Sequence, residues 1–241
     1  MRPVRRGAAP QQRDYTDYDD AKPELVSRLG RFCSYCERAI ATGLAVEHIQ
    51  DKSTHKALIG RWTNFLLSCV NCNSCKSTKQ VDFAKTLLPD RDNSYAAFDY
   101  TPDGRIIPSI RLGQAQRKTA ASLLALTGLD RRISETKDTN EKLIALDGVS
   151  QRMETWLIAE EAERDVSNAP NNQALKKSVT NHAIATGHFS IWMTVFHHHV
   201  DIRKRLIDAF PGTRESGCFD PATAEPVRAP NPDALASGGK V

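Results

Sequence analysis

Hydrophobic and polar residues follow different patterns in the two parts of the chain. From about residue 113 onward, apolar residues recur every three or four positions, which is the spacing of helices with one buried face. This pattern predicts helices over residues 113–129, 135–165 and 174–210, with the last region forming one or two helices. Gly128 is expected to end the first helix, and Gly148 to interrupt the second.

The first 110 residues carry shorter patterns. Residues 24–30 predict a short helix that ends at a glycine, and residues 44–49 predict a strand. The tripeptide PDG at residues 102–104 favours a turn between two strand-like runs, which predicts a hairpin. Residues 1–23 are polar and are expected to form an extended arm. Residues 211–241 hold five of the twelve prolines and are expected to be irregular, with the last ten residues disordered.

Composition indicates an ordinary soluble protein, because 40% of the 241 residues are hydrophobic and 26% are charged. No apolar run approaches the roughly 20 residues that a membrane helix requires, so no membrane contact is expected. The basic N-terminus is not followed by the hydrophobic stretch of a secretory signal. The expected location is the cytoplasm, where clustered cysteine pairs bind metals rather than form disulfides.

Charge is unevenly distributed along the chain. The net charge is +4, but residues 28–79 alone carry eight basic and three acidic residues. Such a surface suits a polyanion such as nucleic acid, although an ordinary solvated surface has a similar composition. Residues 111–241 carry 17 basic and 16 acidic residues and are therefore a poor candidate for the main nucleic-acid surface.

Five of the six cysteines lie between positions 33 and 75 and indicate a zinc site. Cys33 and Cys36 form one Cys-x-x-Cys pair, and Cys69 and Cys72 form a second, so that four thiolates can complete a tetrahedral structural zinc site. Cys75, in the run CVNCNSC, leaves a Cys72–Cys75 pair open as an alternative. The 32 residues between the two pairs exceed the usual zinc-ribbon spacing and must form structure of their own.

That intervening segment contains candidate catalytic groups. His48 titrates near neutral pH and is suited to act as a general base. Glu47 and Asn73 offer oxygen ligands of the kind that Mg²⁺ and Mn²⁺ prefer. Lys52 and Lys76 are expected to meet phosphates as point charges.

The order of these motifs resembles that of HNH endonucleases. Residues 33–76 contain Cys-x-x-Cys, a carboxylate–His pair, Trp-x-Asn and Cys-x-x-Cys-Asn-x-x-Lys. The resemblance implies a ββα-metal framework whose signature positions are His48, Asn64 and Asn73. It makes His48 the general base, assigns Glu47 and Asn73 to the catalytic metal, and gives Asn64 the task of holding the loop that orients His48.

The sequence departs from the HNH pattern at three positions. Asn73 stands where histidine is common, and Glu47 stands where aspartate is commoner. Asp51 stands where related sequences often have proline, and it would either weaken phosphate binding or add a metal ligand.

These observations predict an α+β fold with a ββα-metal HNH core, a four-cysteine zinc knuckle and a mainly helical C-terminal region. The expected divisions are an N-terminal arm and short helix (1–31), a nuclease core with the following hairpin (32–110), a helical region (111–210) and an irregular tail (211–241). The expected activity is metal-dependent hydrolysis of phosphodiester bonds, with DNA favoured over RNA. The alternative is a non-catalytic zinc module that binds nucleic acid or protein, which would have no need of the Glu47–His48 pair.

A narrower resemblance extends over about residues 1–135. The stretches CSYCE, VEHIQDK, RWTNFLLSCVNCNSCK and LPDRDN are similar to those of HNH nucleases in Septu-type and retron-associated bacterial defence systems. This resemblance implies antiviral defence beside an ATPase partner. It also raises the alternatives that the PDRDN run lies near the active site or is simply a capped acidic turn.

The helical region is a candidate for docking onto such a partner, although it could equally complete the hydrophobic core. Trp156, Trp192 and Phe196 are the candidate anchors on its surface. The histidine run 197–199 is expected to serve packing, because neighbouring residues of a helix point about 100° apart and cannot share one metal.

Overall fold

The computed structural model describes residues 1–131 and 138–241 and shows an α+β protein. Small antiparallel sheets and the four-cysteine cluster lie in the first part of the chain, and helices make up most of the remainder. This architecture confirms the predicted fold class. Within the described residues, no helix is both long and apolar enough to cross a membrane.

The ββα unit forms the first sheet and the helix that follows it. Strand β1 (Ala45–His48) pairs antiparallel with β2 (Phe65–Ser68), so that Glu47 lies opposite Leu66 and His48 lies opposite Phe65. All four residues of β2 are buried. Cys69 then begins the helix α2 (Val70–Lys76), where its sulfur accepts a hydrogen bond from the backbone N–H of Cys72.

A second hairpin and two further helices surround this unit. The earlier helix α1 (Lys22–Leu29) ends at Gly30, as predicted. Strands β3 (Phe98–Tyr100) and β4 (Ile106–Pro108) pair antiparallel on either side of the PDG turn, also as predicted. Helix α3 (Gln114–Thr127) follows, and Gly128 ends it in the left-handed conformation that glycine adopts without strain.

The helical region differs from the prediction in its breaks. Helix α4 (Thr139–Asn168) runs straight through Gly148, so the expected interruption is wrong. A glycine inside a helix costs only about 1 kcal/mol, which the packing of a 30-residue helix easily offsets. The expected start of this helix, residues 135–137, lies outside the described residues.

Three helices rather than one or two follow α4. They are α5 (Gln173–Thr186), α6 (Phe189–Val195) and α7 (Val200–Ala209). The histidine run lies in the turn between α6 and α7, where His199 Nε2 lies within hydrogen-bond distance, 2.8 Å, of the Glu163 carboxylate of α4. The His199 ring also packs edge-on against the buried Phe196 ring, at 5.6 Å between centroids, so this histidine combines the expected packing with a polar contact.

The expected partner anchors are core residues. Trp192 and Phe196 are fully buried in the hydrophobic cluster formed by α5, α6 and α7, and Trp156 packs against the cluster around the ββα unit. These side chains cannot serve as surface anchors, because their apolar area is already removed from water.

The N-terminal arm and the C-terminal tail both pack against the ββα unit. Met1 and Val4 are buried in its hydrophobic cluster. The backbone carbonyl of Val241 accepts hydrogen bonds from the N–H groups of Asn93 and Ala229. The tail is irregular but ordered by these bonds, which differs from the disorder expected for its last ten residues.

The PDRDN run joins the arm and the tail and lies outside the candidate catalytic cleft. Asp90 forms buried ion pairs with Arg6 of the arm, at 2.8 Å, and with Arg91, at 2.9 Å. Asp92 accepts from the backbone N–H of Lys240 in the tail at 2.9 Å. Of the two interpretations of this run, the geometry supports a structural turn.

Candidate active site and metal centre

The four predicted zinc ligands lie together. The sulfurs of Cys33, Cys36, Cys69 and Cys72 are all within 4.8 Å of one another. A tetrahedral zinc ion with bonds of about 2.3 Å places its sulfurs about 3.8 Å apart. The Cys36 and Cys69 sulfurs are 3.7 Å apart, too far for a disulfide and close to the zinc geometry. The donor set therefore fits a structural zinc ion.

Cys75 lies outside this cluster, which decides between the two possible pairs. Its sulfur accepts a hydrogen bond of 3.2 Å from Arg131. On the helix α2, Cys75 is three residues beyond Cys72, so both face the same side, but only Cys72 reaches the other thiols.

The zinc knuckle is attached to the helical region through Glu37. Its carboxylate accepts hydrogen bonds from the backbone N–H of Ser190, at 2.9 Å, and from the Ser190 hydroxyl, at 2.6 Å. Burial would raise the pKa of Glu37, but the Met1 ammonium group at 3.2 Å and Ser190 outweigh it and lower the pKa. Glu37 is thus a buried charged residue whose partners are residue 1 and the first turn of α6.

A cleft of about 430 Å³ lies where β1 meets α2. Apart from Asn64, all the positions predicted for catalysis, for the catalytic metal and for phosphate binding line this cleft: Glu47, His48, Lys52, Asn73 and Lys76. The structure thus gathers in one place residues that are up to 29 positions apart in sequence.

His48 is held in one tautomer at the end of β1. Its Nε2 lies 2.9 Å from the backbone carbonyl of Ile59, which can only accept, so Nε2 carries the proton and Nδ1 keeps its lone pair. Edge contacts with the rings of Tyr18 and Phe65 fix the ring plane. Burial lowers the pKa of His48, so the imidazole is neutral near pH 7. This geometry is that of a proton acceptor, although the side chain is largely buried rather than facing solvent.

Asn64 lies beneath the loop that follows His48. Its Oδ1 accepts from the backbone N–H of Gln50 at 2.7 Å, and its Nδ2 donates to the carbonyls of Gln50, at 2.9 Å, and Leu58, at 3.3 Å. Asn64 therefore closes the loop from both ends, next to the Ile59 carbonyl that holds His48.

Glu47 and Lys76 are placed differently from the expectation. The Lys76 ammonium lies 2.9 Å from the Glu47 carboxylate and donates to the His48 carbonyl at 2.8 Å. Their side chains are only 1% and 2% exposed, so Lys76 is a buried, paired ammonium rather than an exposed lysine that could contact phosphate without moving. Burial raises the pKa of Glu47, and the neighbouring Lys76 opposes this shift. The sequence could not show this pairing, because it indicated a separate role for each residue: metal binding for Glu47 and phosphate binding for Lys76.

Asn73 lies one helical turn before Lys76 and lines the same cleft, half-buried. Its amide oxygen and the Glu47 carboxylate are oxygen donors of the type that Mg²⁺ and Mn²⁺ take. The donor chemistry of the cleft therefore fits such a cation, but Glu47 is already paired with Lys76. Outside the four cysteines, the described residues contain no other cluster of three His, Cys, Asp or Glu ligands.

Asp51 is a turn residue at the edge of the cleft. Its carboxylate accepts from the backbone N–H groups of Ser53, at 3.0 Å, and Thr54, at 3.1 Å, and from Gln80 at 2.6 Å. Hydrogen bonds from Ser53 outweigh burial and lower the pKa of Asp51. Its oxygens are thus occupied in shaping the loop.

The arm supplies cleft residues that no sequence motif indicated. Tyr18 and Asp19 line the cleft, and the Tyr18 ring lies 4.7 Å from the His48 ring. Lys52 donates to the Tyr18 hydroxyl at 3.0 Å and lies over its ring. The only hint in the sequence was the alternation of tyrosine and aspartate at residues 14–20, which resembles a solvated segment.

Comparison with protein families matches residues 33–79 to the family model described as HNH endonuclease. No curated protein matches the chain significantly. The matched segment begins at the first zinc-site cysteine and ends just after α2, so it covers the ββα unit and the four-cysteine cluster. Residues 33–79 therefore form an HNH endonuclease domain.

Proposed function

We propose that the protein is a metal-dependent endonuclease that hydrolyses phosphodiester bonds in nucleic acid, with DNA favoured over RNA. The observation that carries this proposal is the neutral His48, held by the Ile59 carbonyl in the cleft of a domain that matches HNH endonucleases. A purely binding module has no need of a base held in this way.

His48 acts as the general base in this proposal. Its Nδ1 takes a proton from a water molecule, the water oxygen bonds to phosphorus, and the bond from phosphorus to the leaving sugar oxygen breaks. Asn64 keeps the loop and the Ile59 carbonyl in place, and Lys52, which is exposed, meets a phosphate. A divalent cation held by Glu47 and Asn73 would stabilise negative charge on the phosphate and on the leaving oxygen.

The test is cleavage of supercoiled plasmid and of RNA by the purified full chain with Mg²⁺ or Mn²⁺, with and without EDTA. His48→Asn should lower the rate by about 10²-fold or more, because it removes the base. His198→Asn, which changes an exposed histidine outside the cleft lining, is the matched control and should cleave normally. A folded, zinc-loaded wild type that binds nucleic acid without cutting it would support the binding-module alternative.

We further propose that the nuclease works in bacterial antiviral defence with an ATPase partner that contacts α4. This helix exposes Leu143, Leu146, Met153 and Leu157, whose spacings of three, seven and four place them on one face. Exposed acidic residues, Glu154 and Glu161, lie along the same face. The surface thus suits an apolar patch with basic flanks on the ATPase.

Co-purification with the products of neighbouring genes tests this contact. The double variant Leu146→Lys and Leu157→Lys should lose the ATPase but keep its zinc and its melting temperature. The control Lys118→Glu changes an exposed charge on α3 and should retain the partner. Retention of the ATPase by the double variant would show that α4 is not the contact.

A further inference from the structure

The buried pair of Glu47 and Lys76 places a cation where a catalytic metal ion needs a free carboxylate. The two charged groups are 2.9 Å apart, almost wholly buried, and both line the cleft beside Asn73. A second cation at Glu47 would have to push the Lys76 ammonium away, since like charges at such a distance repel strongly.

Among the described residues, Lys76 makes no ion pair other than the one with Glu47. Its remaining contact is the His48 carbonyl, which is neutral. Asp51 lines the same cleft, but Ser53, Thr54 and Gln80 already occupy its oxygens. Separating Lys76 from Glu47 in the free protein would leave a buried ammonium without a counter-charge, which is strongly unfavourable.

A phosphodiester in the cleft would supply the missing counter-charge. A lysine ammonium binds a phosphate oxygen readily as a point charge, and its flexible stem allows a shift of position. Movement of Lys76 from Glu47 to a phosphate would free the carboxylate and leave both charges paired.

We propose that Lys76 is a positioning residue that makes divalent-cation binding depend on substrate. In the free protein the ammonium holds Glu47 and keeps the cation affinity of the cleft low. Nucleic acid draws the ammonium to a phosphate, and Glu47 then becomes available. This inference rests on the proposed nuclease function. It extends that function, because the free enzyme would bind its catalytic cation only weakly until nucleic acid is present.

Reciprocity makes the proposal measurable by binding alone. If duplex raises the affinity for a cation by some factor, the cation must raise the affinity for duplex by the same factor. Mn²⁺ is the probe, because electron paramagnetic resonance reports the free ion directly. The His48→Ala variant is the parent for all titrations, so that a 20-base-pair duplex is not cleaved during measurement.

The parent should bind Mn²⁺ about tenfold or more tightly with duplex than without it. Lys76→Met should bind Mn²⁺ without duplex about tenfold or more tightly than the parent does, because Glu47 is no longer occupied. Lys79→Met, which removes an exposed lysine three residues away, should behave as the parent. Adding Glu47→Gln to Lys76→Met should abolish the gain, which places the ion at this carboxylate.

Zinc content and circular dichroism establish that each variant is folded, and Lys76→Gln replaces Lys76→Met if the latter is not. Folded Lys76 variants that bind Mn²⁺ no more tightly than the parent overturn the proposal. Equal Mn²⁺ affinity of the parent with and without duplex also overturns it, whether or not any Lys76 variant folds. Failure of the wild type to cleave nucleic acid would instead count against the nuclease function, and the duplex-free titrations would still report on Lys76.

Discussion

At the scale of single residues, the cysteine spacing carried the most information. Two Cys-x-x-Cys pairs predicted the four-thiol cluster, because each pair brings its sulfurs together within one turn of chain. The sequence left the second pair open between Cys69–Cys72 and Cys72–Cys75. Only the position of α2 against the first pair decides this, and that position depends on long-range packing.

Substitution of the cysteines separates the two possibilities. Cys69→Ser and Cys72→Ser should each lose zinc and much of the folding free energy, since a structural zinc ion stabilises the fold directly. Cys75→Ser should keep about one zinc per chain and lose only its bond with Arg131. Elemental analysis and thermal unfolding measure both effects. Zinc loss from Cys75→Ser with zinc retained in Cys69→Ser would contradict the geometry.

The Asn64 side chain connects two parts of the loop between β1 and β2, through hydrogen bonds to the backbone of Gln50 and Leu58. Its truncation in Asn64→Ala leaves the N–H of half-buried Gln50 and two carbonyls without partners, which costs about 1–3 kcal/mol of unfolding free energy. We expect nuclease activity to fall further than stability, because the Ile59 carbonyl moves with the loop. Urea unfolding and plasmid cleavage at a temperature well below the transition would measure the two separately. Full activity in a destabilised variant would show that the loop does not orient His48.

At the scale of elements, the local patterns predicted which segments are helices or strands better than they predicted where the segments meet. The hairpin at PDG and the end of α3 at Gly128 follow from turn chemistry that is local. The break between α5 and α6 depends instead on a distant contact. Gly187 packs so closely against the backbone of the zinc knuckle that a Cβ at this position would clash with it. A contact between residues about 150 positions apart leaves no periodic signal.

The turn that contains Asp90 links the arm to the body of the protein. Asp90→Asn should lower the unfolding free energy by about 3–5 kcal/mol, because Arg6 and Arg91 would be left buried without a counter-charge. The exposed pair of Asp82 and Lys85 provides the control, and Asp82→Asn should change stability far less than Asp90→Asn does, because solvent screens the exposed pair. Urea unfolding of the zinc-loaded variants measures both.

The pH dependence of this difference has a definite sign. Burial would raise the pKa of Asp90, but Arg6 and Arg91 outweigh it and lower the pKa below 3.8. The carboxylate is therefore charged in both the folded and unfolded states above about pH 5, and its contribution is lost only as the pH falls below 3.8. The difference between wild type and Asp90→Asn should stay constant from pH 8 to pH 5. A difference that disappears within that range would mean that the folded state raises this pKa.

At the scale of the whole molecule, the helical region is part of the structure that supports the HNH domain. Glu37 of the zinc knuckle is held by Ser190, and α3 packs on α2 with Leu123 and Leu124 buried. The sequence predicted a nuclease core over residues 32–110 but not its dependence on the helices, because motif spacing shows the ligands and not the surfaces that shield them. Completion of the core and partner docking are thus compatible roles for different faces of the same helices.

Truncation tests how far the domain depends on this support. A chain of residues 1–110 should fail to unfold cooperatively and should retain less than one zinc per chain, because it exposes the apolar faces that α3 and α6 cover. Calorimetry and elemental analysis, with the full chain prepared in parallel, provide the measurements. A soluble, zinc-loaded fragment with a sharp transition would show that the HNH domain is autonomous.

The hydrogen bonds between Glu37 and Ser190 span 153 residues of sequence, and this has a consequence for synthesis on the ribosome. All four zinc ligands leave the exit tunnel well before Ser190 is translated, so the nascent chain can capture zinc early but cannot yet bury Glu37. The arm, the knuckle and α6 come together only late in translation. We therefore expect the knuckle to reach its final packing only after Ser190 has left the ribosome, so that unfinished chains carry zinc before they carry the finished fold.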